Sequence, residues 1–265
     1  MTHLDDGAIS AGAGAHAARA GGAGSGAVAA GLFEVDGVLT DTRDAHRRAW
    51  AAVFDVYLDC VGGPRGAAFT EADFRRYVEG RSGGDAVRGF MDSRGIELPE
   101  GELGDHATRS TVHGLSESKD RLLLSIIERE GVRAYPDAAG LVARARAAGS
   151  AVVAVAPSTT ARAILSAAGL DGCLDACIDA IEVQSRRLRG EPAPDAYLAG
   201  ADAVGVAPSR CAVFANAVGG IAAGRGGGFA LVIGVDRMRS EVRSAELRRA
   251  GADRVTSDLA ELRWP

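Results

Sequence analysis

The sequence predicts an α/β protein, a parallel sheet with helices on both faces that is interrupted by an inserted helical block. Three observations carry this expectation. From Tyr135 onward, strand-like apolar runs alternate with helix-period segments, the pattern of βαβ units. Residues 43–134 show helical spacing and no convincing strand. A short apolar run, Ala27–Val35, precedes that block. The block therefore interrupts the core after its first strand. It should hang as a cap over the C-terminal strand ends, where ligands sit in such sheets.

Taken in order, residues 1–25 are rich in Ala, Gly, Ser and His, have no core-forming period, and read as a mobile tail. Residues 26–42 and 135–265 form the expected core domain, and 43–134 the expected cap. AVAAGLFEV (27–35) suits a buried parallel strand that delivers acidic side chains at its C-terminal end. In the cap, HRRAWAAVFDVYL, EADFRRYVEG, DAVRGFMDSRG and KDRLLLSIIEREG each predict a helix. In the core, AVVAVA (151–156), CAVFAN (211–216) and FALVIGV (229–235) read as strands, and TARAILSAAG as a helix. GRGGGF (224–229) reads as a helix C-cap and turn. EVRSAELRRAGADR reads as a solvated helix face and SRRLRG (185–190) as a loop.

Composition bounds the function. A chain of 265 residues holds one large domain or two smaller ones. With 47% apolar and 25% charged residues it can build a core, which excludes global disorder. A net charge of −5 argues against a general nucleic-acid binder. No apolar run reaches a membrane span, and MTHLDDGAIS lacks the features of a secretory signal. A cytoplasmic protein with no membrane partner is expected. Cys60, Cys173, Cys177 and Cys211 form no CxxC or zinc spacing and read as reduced thiols. Lys119 is the single lysine among 30 basic residues, so chemistry that needs a lysine has one candidate.

FEVDGVLTDT (33–42), at the end of the first strand, resembles the first motif of the haloacid dehalogenase (HAD) superfamily, in the FDxDGVLxDT form of β-phosphoglucomutase-like proteins. DAHRRAWAAVF resembles that subfamily's first cap helix. GEPAPDAYLAGADAVGVAP resembles its G-K-P-x-P-D segment, and VFANAVGGIAAGRGGGF its V-F-E-D-A-x-x-G-x-x-A-G segment. The resemblance covers residues 27–262. It implies a Rossmann-like core with an inserted helical cap of the C1 type. It also implies a chemistry: an Asp nucleophile, an Asp acid/base two residues later, a Ser or Thr and a Lys on the phosphoryl oxygens, and a Glu/Asp pair that binds Mg²⁺ with the nucleophile.

Carried over residue by residue, the resemblance puts Glu34 at the nucleophile position and Asp36 at the acid/base position. Of the six positions only Asp36 matches. Ala156 stands at the Ser/Thr position, with Ser158 two residues on as an alternative register. Glu191 stands where the Lys belongs, and Arg187 or Arg189 is a possible replacement cation. Ala215 and Asn216 replace the metal-binding Glu and Asp, so no metal and no cofactor is expected. In the cap, His46 falls where the subfamily has a His for cap closure and proton handling, and Trp50 where it has a Trp that can also be simple core packing. Lys119 in GLSESKD matches a Lys that faces the active site, an exposed helix-start lysine being the alternative. Gly83 replaces a phosphate-gripping Arg, and Arg81 lies near enough to compensate.

Without a metal, Glu34, Asp36 and Glu191 are expected to converge, with a raised pKa on at least one of them. Three functional readings stay open. The first is a pseudoenzyme that binds a small molecule or a protein. The second is an enzyme repurposed for metal-free acid/base chemistry in an acidic cleft, using Asp36, Glu34, Glu191 and His46. The third is a residual sugar-phosphate phosphatase or phosphomutase.

Overall fold

The computed structural model describes residues 27–62 and 68–264. The expected tail, 1–25, lies outside the described residues. Six strands form one parallel sheet: β1 (Ala30–Glu34), β2 (Ala151–Val155), β3 (Ala176–Ile178), β4 (Cys211–Ala215), β5 (Leu231–Val235) and β6 (Arg254–Thr256). Their spatial order is β3-β2-β1-β4-β5-β6. The central strands are apolar on both faces because both faces are covered. Leu32, Val153 and Val213 enter one buried cluster, with Tyr197 and Ile221. Phe33, Ala154 and Phe214 enter the other, with Leu141 and Ile164. Phe33 and Phe214 stack at 4.4 Å across the β1–β4 pair.

The helical block is built from α1 (Arg43–Cys60), α2 (Glu71–Asp73, running on as a π-helical turn Phe74–Val78), α3 (Gly83–Ser93) and α4 (Val112–Glu130). It has its own core, in which Trp50, Phe54, Phe69, Phe90 and Leu115 are buried together. Two chain crossings join it to the sheet. They are zipped by Asp41 N–H to Arg133 O and Tyr135 N–H to Leu39 O, both 2.9 Å. The core helices are α5 (Pro136–Ala147), α6 (Ala161–Ala167), α7 (Ala180–Ser185), α8 (Asp195–Ala203), α9 (Val218–Gly226) and α10 (Glu241–Ala250).

The structure adds to the sequence reading. β3 and β6 have no counterpart among the expected strands. Each has three residues at or near a sheet edge, too short to show a period against its flanks. α4 begins at Val112, seven residues before the helix expected at Lys119, because Thr111 caps it through Gly114 N–H at 2.9 Å.

Candidate active site

The chain leaves β1 for β2 on one side and later crosses to β4 on the other. The C-terminal ends of these three strands therefore gather Glu34, Ala156, Ala215 and Asn216. After Glu34 the backbone turns tightly. Gly37 sits at φ +76°, and its N–H donates to Thr40 O at 2.9 Å. A Cβ at Gly37 would land 1.9 Å from Asn216 Nδ2, so the turn lies flat on the β4 loop.

This turn aims Asp36 and Glu34 into different surroundings. Asp36 Oδ1 accepts a 2.6 Å bond from Thr42 Oγ1 and lies 3.2 Å from His46 Nε2 of α1. Burial raises its pKa. The charge and hydrogen bond of His46, the Thr42 hydroxyl and the charge of Lys119 outweigh that, so the Asp36 carboxyl titrates below its ordinary value. Lys119 is buried, not an exposed helix-start lysine. Its Nζ lies 5.4 Å over the Trp50 ring and donates to Asp120 Oδ1 at 2.8 Å. Trp50 is itself buried in the cap core, so it packs there and also floors Lys119.

Glu34 is buried beneath the cleft. Its Oε2 accepts from Asn216 N–H at 2.6 Å and Ala217 N–H at 3.1 Å, and its Oε1 from Tyr197 Oη at 3.2 Å. Tyr197 of α8 is fully buried. Burial and the charge of Glu191 push Glu34 up to about 8, against the three hydrogen bonds. Burial alone pushes Glu191 up to about 7. The expected raised pKa therefore falls on Glu34 and Glu191. Asp36 does not join them, because the turn carries it to His46 and Thr42.

The remaining positions resolve one by one. Ala156 is buried in an apolar cluster, its N–H on Ile178 O at 2.9 Å. Ser158 Oγ pairs with Thr160 Oγ1 at 2.7 Å and accepts from Thr160 N–H at 3.2 Å in the turn before α6. Arg189 is exposed and tied to Asp195 by Nη2 at 2.8 Å. Arg187 sits in the left-handed region at φ 53°, with no side-chain hydrogen bond or ion pair found among the described residues. Arg81 is exposed beside Gly80. Gly83 is pressed on α4, where a Cβ would meet Ser116 Oγ at 2.2 Å. Sequence reasoning missed Tyr197 and Gly220. The signal for Tyr197 was a phenol on an apolar helix face, which needs a polar partner once buried.

The donors at the three metal positions do not fit Mg²⁺. Both Glu34 oxygens accept from protein donors, Ala215 offers no donor atom, and Asn216 offers only a neutral side-chain amide in place of a carboxylate. Mg²⁺ demands an oxygen-rich octahedron and gives up water reluctantly.

Residues 30–228 match the model of haloacid dehalogenase-like hydrolases. The chain belongs to that family. It is β-phosphoglucomutase-like within it. A protein of Mycobacterium tuberculosis named β-phosphoglucomutase is 39% identical over 235 residues, covering 87% of this HAD chain and 90% of that one. The validoxylamine A 7′-phosphate phosphatase of Streptomyces hygroscopicus is 27% identical over 243 residues, covering 88% and 95%. The fold of this HAD protein matches the crystal structure of β-phosphoglucomutase from Clostridium difficile with a TM-score of 0.70 at 19% identity, covering 89% and 94% of the two chains. No helix among the described residues is long and apolar enough to cross a membrane.

Proposed function

We propose that this HAD-fold protein no longer carries out Mg²⁺-dependent phosphoryl transfer and acts by binding a small molecule or a protein. One observation carries the reading: the residue at the nucleophile position, Glu34, is buried and held by Asn216 N–H and Ala217 N–H on Oε2 and by Tyr197 Oη on Oε1. A nucleophile must be aimed at the reacting atom, and these bonds hold the carboxyl buried on the loop after β4 instead. Charge supports the same reading. At 4 Å and an effective dielectric of about 20, a unit-charge pair is worth about 4 kcal/mol, so Glu191 in place of a lysine turns attraction for a phosphoryl dianion into comparable repulsion.

A second reading has its own observation. Glu34 and Glu191 are pushed up to about 8 and about 7, the range in which a carboxyl can both take and give a proton at neutral pH. On that reading Glu191 is the exchanging group, with Asp36 and His46, 3.2 Å apart, as further acid/base candidates. The substrate is neutral or cationic.

One experiment separates these readings. Phosphate release and sugar-phosphate isomerisation are measured with Mg²⁺ for the natural chain and for a revertant carrying Glu34→Asp, Ala156→Ser, Glu191→Lys, Ala215→Glu and Asn216→Asp. The expected outcome is turnover by the revertant alone. Turnover by the natural chain at a comparable rate means the phosphatase or phosphomutase reading is right. Loss of a native activity on reversion means the acid/base reading is right.

A further inference from the structure

We infer that Glu34, Ala215 and Gly220 form one coupled unit, in which the Glu34 carboxylate serves as the internal ligand of the 215–217 loop. This deepens, and rests on, the reading that the Mg²⁺ site is lost. The loop joins β4 to α9, and α9 has no side-chain cap of its own at Ala217. From another strand, Glu34 Oε2 accepts the N–H groups of Asn216 and Ala217, the two residues that lead into α9. Backbone donors left unpaired at such a buried helix entrance are costly.

Three features make this arrangement exclusive. The first is reach. An Asp at position 34 ends one carbon–carbon bond sooner, roughly 1.5 Å, enough to break a hydrogen bond of ordinary length. The second is room. A Cβ on Gly220 would lie 2.0 Å from Glu34 Oε1, 2.8 Å from Tyr197 Oη and 3.1 Å from Ala215 Cβ, so these groups share one small space that is open only because Gly220 has no side chain. The third is charge. A Glu at position 215 would bring a second carboxyl group into that same buried space, where ionising it is costly without a paired cation. The substitutions at 34 and 215 are therefore one change in two places. Reverting position 215 alone does harm that reverting position 34 removes.

The test is thermal unfolding of the full chain, with and without millimolar Mg²⁺, for Glu34→Asp, Glu34→Gln, Ala215→Glu and the Glu34→Asp/Ala215→Glu double variant. Glu34→Gln keeps the reach, with its carbonyl on the two N–H groups and its amide on Tyr197 Oη. Its midpoint is expected within about 2 °C of the natural chain, whereas Glu34→Asp falls by about 4 °C or more. Ala215→Glu is expected to cost more in the natural chain than in the Glu34→Asp background, and the natural midpoint is expected to ignore Mg²⁺. Failure of Glu34→Asp to fold while Glu34→Gln folds also supports the unit. An unchanged midpoint for Glu34→Asp, a Glu34→Gln that falls as far or fails to fold, or a Mg²⁺-raised natural midpoint overturns it. Equal cost of Ala215→Glu in both backgrounds sinks the coupling alone, whereas Mg²⁺-dependent turnover by the natural chain sinks the functional reading, so the two failures are told apart.

Discussion

Thr159, in the turn after β2, donates a 2.8 Å hydrogen bond to Asp120 of α4, the residue that also holds Lys119 Nζ. The cap and the core therefore meet at a side-chain bond beside the one lysine. A second contact lies across the cleft, where a Cβ at Gly80 would meet Ala217 Cβ at 3.3 Å. Arg43, at the start of α1, steadies that cap loop by donating to Glu79 at 2.7 Å and Glu71 at 2.6 Å.

Removing the Thr159 hydroxyl is expected to loosen the cap without unfolding the protein. Thr159→Val keeps the shape and deletes the donor. An exposed bond of this kind contributes about 0.5–1.5 kcal/mol, which speeds local opening several-fold. Hydrogen exchange at the hinge amides of Asp41 and Tyr135 is expected to accelerate by that factor, while the amides of β2 and β4 keep their protection. Uniform acceleration of all of them would show a global effect instead.

The hinge is pinned from the core side by Arg237. Its planar guanidinium stacks 4.0 Å over Tyr135, whose hydroxyl donates to Asp41 at 3.0 Å. It also donates to Val38 O at 3.0 Å and to Asp137 Oδ2 at 2.5 Å. Both members of the Arg237–Asp137 pair are 15% exposed, so removing one strands a charge in poor solvent. Arg237→Met is expected to cost about 3–5 kcal/mol in urea unfolding. Asp137→Asn added to it is expected to recover part of that loss, because Asn still accepts from Leu259 N–H, which now bonds Asp137 Oδ2 at 2.7 Å.

How much of this was legible depended on whether the cause was local. β1, β2, β4 and β5 each carry an apolar run long enough to declare itself, and the helical spacing from Arg43 to Glu130 marks the cap. β3 and β6 exist because a neighbour offers an edge to pair with, which no three-residue window reveals. At the site, resemblance to known motifs located Asp36, His46 and Lys119. The separation of Asp36 from Glu34 arises from the Gly37 turn and from Tyr197 and Gly220, about 160 residues or more away from Glu34 in sequence. Side-chain direction set by such distant partners has no periodic signature. Arg237 and Asp137 went unseen for the same reason.

The raised carboxyls make stability fall as pH rises. Glu34 and Glu191 have ordinary values of 4.5 and folded values of about 8 and about 7. The folded chain therefore holds its protons more tightly than the unfolded chain between those limits. Their contribution is full below about pH 4.5, declines through neutrality, and is lost above about pH 8, at up to about 1.4 kcal/mol per pH unit for each proton. Urea midpoints from pH 5 to 9 are expected to show this fall. Glu191→Gln removes one of the two groups and the charge that raises the other, so its midpoints should vary less over the same range. Equal slopes for the two proteins would place the proton elsewhere.

The space at Gly220 is open only because that residue has no side chain. Gly220→Ala adds a methyl where Glu34 Oε1 and Tyr197 Oη already lie at 2.0 and 2.8 Å from it, and where the Ala215 Cβ leaves no retreat at 3.1 Å. A helix interior ordinarily gains from replacing Gly by Ala, by roughly 0.8–1 kcal/mol. Here crowding opposes that gain and costs about 1–3 kcal/mol, so the net effect in urea unfolding is expected to be destabilising. Tyr197→Phe clears the hydroxyl but leaves Glu34 Oε1 without a donor, so it should not rescue Gly220→Ala. A stabilised Gly220→Ala would show that Glu34 swings aside at no cost, and that the carboxylate is not held where its hydrogen bonds place it.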